Sequence, residues 1–263
     1  MKLKLIAAAV ALVASAPSFA FLHGPDDGGA EMFLSVWQQA GTGTGTTSRS
    51  FTLDLGVTLI DMVAHQNTNL FINTVTSGSA EWTSFLAAGT GTLQYSVVAA
   101  DQTDAADPIL LSTFAASTIA SKTRQDMFDA QAQIAQYVGA NNATGTHTTL
   151  ANGASFNTSG FEYYMTAASN TWNGTTGNNS AAIGTSMIFG QMQGTSAQNA
   201  VSQIYGGLDV NGKFVASSMK LFQQGNDYVL QYSVQAVPEP TGIALALAGF
   251  GIVGFVARRR KSA

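Results

Sequence analysis

Between positions 51 and 59 the odd residues are Phe51, Leu53, Leu55, Val57 and Leu59, and the even ones are Thr52, Asp54, Gly56 and Thr58. Side chains alternate between two faces only in an extended chain, so this period of two demands a strand with one buried face. An apolar run from Met32 to Trp37 precedes it, and the intervening GTGTGTTSRS (41–50) reads as a long hairpin loop. Leu93, Tyr95, Val97 and Ala99 alternate in the same way, as do Phe161, Tyr163 and Met165.

Near the end of this body, Asn211-Gly212 and Gly225-Asn226 are turn dipeptides flanked by apolar-bearing runs. They predict a three-stranded meander over 201–209, 213–223 and 227–236. One segment departs from the β pattern. Thr123 and Asp126 resemble a helix start, Met127, Ile134 and Val138 recur at helical spacing, and Gly139 with Asn141-Asn142 reads as a stop. The expectation is a helix over about 124–138, with a shorter helical turn around Trp82, Phe85 and Leu86. Loops rich in Gly, Thr, Ser and Asn fill 41–50, 139–160 and 169–182. The fold class expected is mainly β: an antiparallel β-sandwich-like domain with one short helix.

Both ends of the chain read as addresses. MKLKLIAAAVALVASAPSFA (1–20) has two lysines, an apolar run of about ten residues and a small-residue ending, the parts of a secretory signal cleaved after Ala20. The run is short for a membrane span, which needs about 20 residues. At the other end, Thr241 to Ala257 gives 17 residues without a charge, enough to cross a bilayer thinly as a helix. Arg258, Arg259, Arg260 and Lys261 follow it and act as a membrane stop that keeps the C-terminus in the cytoplasm. Just before the span, Pro238 and Pro240 fix their own φ and extend the residues ahead of them, giving a stiff handle around Glu239.

Val237-Pro238-Glu239-Pro240, the Gly/Ala/Leu-rich span and the terminal basic cluster together resemble the PEP-CTERM sorting signal of exopolysaccharide-producing Gram-negative bacteria. The resemblance implies that an inner-membrane exosortase recognises Pro238, Glu239 and Pro240 and releases or transfers the protein beyond the membrane. It covers only 237–261 and implies nothing about the fold of the rest. The domains expected are a signal peptide (1–20), a β-rich secreted domain (21–236) and a sorting segment (237–263).

Charge now becomes informative. Lys2, Lys4, Arg258, Arg259, Arg260 and Lys261 all belong to the terminal segments, so five basic residues remain in the body against 14 acidic ones. That balance excludes a nucleic-acid partner, because neutralising phosphates requires clustered Lys and Arg. With no cysteine there is no disulfide, thiol nucleophile or thiolate metal site.

Little in the body marks chemistry. His23, His65 and His147 stand far apart, so no zinc spacing exists and no metal or cofactor is expected. Asp101, Asp104 and Asp107, with Asp26-Asp27, carry oxygens suited to calcium but lack the alternating ligands of a calcium loop, and a solvated acidic loop is the plainer reading. Asp209-Val210-Asn211-Gly212 is fully explained as a turn. Glu31, Glu81 and Glu162 offer no marked glycosidase pair, though such pairs assemble in space and not along the chain. Trp172, in SNTWNGTTGNNS, is a platform on which a sugar ring stacks or, more simply, a lid folded over the core. Asn142, Asn157, Asn173 and Asn178 open Asn-x-Ser/Thr sequons that arise by chance in so polar a chain.

The functional expectation is an exported, non-enzymatic surface or matrix protein. It is anchored in the inner membrane as a precursor, processed by an exosortase and associated with extracellular polysaccharide in a biofilm or floc. The alternative is a secreted glycan-binding or glycan-hydrolysing protein on the same route.

Overall fold

A computed structural model describes residues 22–27, 29–38, 48–64, 70–74, 79–103, 108–114, 122–150, 152–159, 179–194, 199–203, 217–225 and 227–234. The elements follow in the order β1 (Glu31–Gln38), β2 (Arg49–Thr58), α1 (Leu59–Ala64), β3 (Leu70–Thr74), α2 (Ala80–Ala87), β4 (Gln94–Asp101), β5 (Ile109–Phe114), β6 (Lys122–Thr123), α3 (Arg124–Asn142), β7 (Ala154–Asn157), β8 (Ala181–Ala182), β9 (Ser186–Gly194), β10 (Asn199–Gln203), β11 (Ser217–Gln224) and β12 (Asp227–Val234). The strands form one antiparallel sheet along the path β3-β12-β11-β9-β5-β4-β1-β2-β7, with β8 added to β4 and β10 joining β9 to β6.

The chain is mainly β and antiparallel, as the alternation predicts. It differs from the expected sandwich with one helix in being a single curled sheet with three helices among the described residues. The hairpin of β1 and β2 forms as read, pairing Phe33 with Asp54 and Trp37 with Ser50.

The sheet forks at β9. Ser186 to Phe189 pair with β11, Gln191 to Gly194 pair with β10, and the other edge of β9 lies along β5. The expected three-stranded meander is therefore corrected: β10 is a neighbour of β9 and β6, not of β11. Its last two strands are right, with Leu221 opposite Leu230 and Met219 opposite Tyr232. Asn211-Gly212 and the alternation at Phe161, Tyr163 and Met165 lie outside the described residues. So do Asp209, His65, Ala20 and everything beyond Val234, including the span 241–257; no helix among the described residues is long and apolar enough to cross a membrane.

One face of the sheet carries a continuous apolar core: Met32, Leu34 and Val36 of β1, Phe51, Leu53 and Leu55 of β2, Tyr95 and Val97 of β4, Phe189, Leu221, Leu230 and Tyr232. Helix α2 plugs it. Ser79 caps α2 by accepting from the Trp82 backbone N–H (3.2 Å), and Trp82 and Phe85 turn inward as their spacing predicts.

The single buried face expected for 51–59 is also corrected, because α3 lies across the opposite face. Met127, Ile134, Tyr137 and Val138 pack there on Phe33, Trp37, Val98, Leu110 and Phe114. Hence β1, β2, β4 and β5 are buried on both sides for most of their length. Helix α3 also runs on through Gly139 to Asn142. The Asn141 carboxamide donates to the Tyr137 carbonyl (2.9 Å), so the residues read as a stop instead satisfy the last turn.

The β11–β12 turn holds Gly225 at φ 66°, in the left-handed region. A Cβ there meets open space, so the cost of Gly225→Ala is conformational only, about 1–2 kcal/mol. Denaturant melts should show that loss with an unchanged m-value.

Candidate functional site

On the face covered by α3, the register of β2 places Ser50, Thr52 and Asp54 inward, where the alternation had implied water. Between β1, β2, β7 and the C-terminal half of α3, polar groups replace apolar ones. Ser35, Thr52, Tyr137, Asn141, Asn142, His147 and Ser155 are all buried. Such groups must be hydrogen-bonded to lie there, and each of these side chains makes at least one hydrogen bond.

The Tyr137 hydroxyl meets Ser35 Oγ (3.1 Å) and Thr52 Oγ1, joining α3 to β1 and β2. Burial pushes this phenol up to about 12, against the hydrogen bonds from Ser35 and Thr52, so it serves as a neutral hydroxyl. Next to it, Ser155 Oγ donates to Asn141 Oδ1 (2.5 Å) and lies 3.3 Å from His147 Nε2. A serine beside a histidine is the geometry of an activated nucleophile. Here the hydroxyl proton goes to Asn141 instead, His147 Nδ1 finds no hydrogen-bond partner among the described residues, and both side chains are closed from solvent. Burial lowers His147 to about 4, so the imidazole is neutral at physiological pH. Gly153 is required alongside: a Cβ on it would collide with the His147 backbone.

At the end of the same seam two carboxyl groups gather around a bulge in the β1–β2 register. Asp54 is 2% exposed, and its Oδ1 accepts from the Gly56 N–H (2.7 Å). Burial first, then the negative charge of Glu31, raises it to about 7 against that hydrogen bond. Glu31 is itself raised by burial, opposed by the His23 N–H it accepts (3.0 Å) and the His23 charge. Two raised carboxyl groups are what proton transfer uses. The closure of Asp54 from solvent instead makes it a buried acid held by the Gly56 N–H, while Glu31 ties β1 to the N-terminal segment through His23.

That segment is held tightly. Leu22 is fully buried, its N–H donates to Asn142 Oδ1 (2.9 Å) and its carbonyl accepts from Asn142 Nδ2 (2.9 Å). Asn142 is thereby committed, and the sequon it opens is closed in the folded protein. Asn157 of β7 likewise donates to Asn141 Oδ1 (3.2 Å), while Asn173 and Asn178 fall outside the described residues.

Elsewhere, Arg49 is a buried cation with no carboxylate partner among the described residues. Its Nη1 donates to the Phe85 and Leu86 carbonyls (the latter at 3.0 Å) at the C-terminus of α2, and its Nε to Gln38 Oε1 (2.9 Å). The partial negative charge of the helix end stands in for a counter-ion.

Of the residues singled out from sequence, Trp37 and Trp82 are core, as expected. Asp26 and Asp27 are exposed, and Asp101 accepts from the Thr103 N–H (2.9 Å) in a local turn. Gln102 joins these two acidic loops by donating to Asp26 Oδ1 and the Pro25 carbonyl. No group of three or more His, Asp or Glu able to hold a metal exists among the described residues. Asp104, Asp107, Glu162, Trp172, Pro238, Glu239, Pro240, Arg258, Arg259, Arg260 and Lys261 lie outside them. The Asp54–Glu31 pair and the Tyr137–Ser155–His147 seam were not legible in sequence. The one available signal was an acid, Asp54, in the middle of a strand too apolar to be an edge.

Residues 236–261 match the PEP-CTERM protein-sorting motif. No curated protein and no solved structure matches the chain. The motif makes this an exported protein sorted by an exosortase, with a membrane-anchored precursor.

Proposed function

We propose that the mature protein is a non-enzymatic component of the cell surface or extracellular matrix, held with exopolysaccharide in a biofilm or floc. The observation that carries the reading is the sorting motif over 236–261, with the Pro238-Glu239-Pro240 handle for the exosortase at its start. The first 20 residues supply the matching export signal in this reading. A body with five basic residues holds neutral or acidic glycans through hydroxyls and amides, so its binding changes little with salt.

Intact-mass measurement of the extracellular form should give a chain that lacks 241–263, and Glu239→Ala should hold the precursor in the membrane fraction. A secreted form that still includes those residues refutes the processing step.

The second reading, a glycan hydrolase, draws on the pairing of Asp54 with Glu31, whose carboxyl group is half-buried and not closed off. Incubating the protein with host polysaccharide and measuring both pull-down and release of reducing ends separates the two. Turnover abolished by Asp54→Asn or Glu31→Gln establishes the hydrolase, whereas binding without turnover that survives both substitutions supports the matrix protein.

A further inference from the structure

The antiparallel path determines where the two ends of the domain leave it. From β1 to β12 there are five antiparallel pairings, β1·β4, β4·β5, β5·β9, β9·β11 and β11·β12. The number is odd, so β12 ends toward the pole at which β1 begins. Packing agrees with the parity. Trp82 lies edge-on to Phe51 near the start of β2 (4.8 Å) and to Tyr228 near the start of β12 (5.1 Å), so those starts share the opposite pole.

The pole of chain arrival and departure is sewn together by backbone hydrogen bonds, from the Leu59 N–H to the Ala30 carbonyl (2.8 Å) and from the Gln102 N–H to the Pro25 carbonyl (2.9 Å). It also carries Ile60 at 67% exposure, just past β2, and Leu150 at 54%, just before β7. The only other exposed large apolar side chain among the described residues, Leu86, sits at the far pole beside Arg49. Three residues separate Val234 from Pro238, so even a fully extended tether keeps the handle within about 14 Å of the end of β12. A domain tethered so closely has one pole it can turn to the bilayer.

Resting on the sorting reading above, we infer that the pole bearing Ile60 and Leu150 faces the membrane in the precursor and touches a phospholipid headgroup layer through these two side chains. Asp26 and Asp27, exposed on the same pole, suit it to a zwitterionic surface and not an anionic one.

The chain has no cysteine, so single-cysteine variants of the full chain at Ile60, Leu150 and Gln224 each take one fluorophore. Gln224 is exposed in the β11–β12 turn at the far pole. In phosphatidylcholine vesicles containing headgroup-level nitroxide lipid, quenching should be several-fold stronger at 60 and 150 than at 224. Equal quenching at all three positions, or the strongest at 224, overturns the orientation and leaves the sorting reading standing. A full chain that does not float with the vesicles overturns both.

Discussion

Asp54→Asn should stabilise the protein at pH 8 and leave it unchanged near pH 3. The folded-state carboxyl is raised from 3.8 to about 7, so the native protein binds a proton that the unfolded chain has already released. This group's contribution is complete below about pH 4 and is lost as the pH climbs through about 7. The displacement corresponds to about 4 kcal/mol at most. His147 works in the opposite sense. Its folded value of about 4 against 6.5 means that the native state refuses a proton the unfolded chain takes, so stability is lost as the pH falls from about 6.5 to about 4. The two slopes oppose each other over most of that window. Urea melts from pH 4 to 8 should therefore show stability rising with pH in Asp54→Asn and falling in His147→Gln. An Asp54→Asn profile parallel to that of the parent protein would show that the buried carboxyl does not behave as described.

Trp82→Ala should cost about 3–5 kcal/mol, the loss expected for a large buried aromatic that no neighbour can replace. Trp82 lies between Phe51 (4.8 Å), Phe85 (5.2 Å) and Tyr228 (5.1 Å), and so bridges β2 to β12, strands from opposite halves of the curled sheet. Removing it opens the plug from both sides. Trp82→Phe keeps a ring in place and should recover more than half of the loss in the same thermal melt. A cost below 1 kcal/mol for Trp82→Ala would mean that the sheet closes without this helix.

What was legible in sequence is what depends on neighbours along the chain. Phe51, Leu53 and Leu55 announce a strand, Trp82 and Phe85 a helical turn, and Gly225 a hairpin, because two-residue and 3.6-residue periods are local. Pro238-Glu239-Pro240 was legible for a related reason: a sorting signal is read as a linear stretch. The pairing of β9 with β5, β10 and β11 was not legible, since Met187 and Phe189 look the same whichever strand lies beside them. Nor was the polar seam. Thr52 and Asp54 become buried only because α3 crosses that face, and nothing in their own segment reports its arrival. His147 and Ser155 meet across a tight return held by Gly145 and Gly153, within a stretch that composition alone marked as loop.

The fork at β9 has a consequence for the order in which the chain is made and threaded across a membrane. Strands β1, β2, β4, β5 and β7 all precede residue 158, yet one edge of β5 waits for residues 186–194. Until they arrive, Leu110, Leu111 and Phe114 stand on an uncovered strand edge, a template for association with other unfinished chains. Folding dominated by such distant pairings is slow, on the scale of milliseconds to seconds. An emerging chain is thus vulnerable over a long stretch of its own synthesis. A holding factor that shields β5 during this interval would raise the yield of folded protein without altering its final stability.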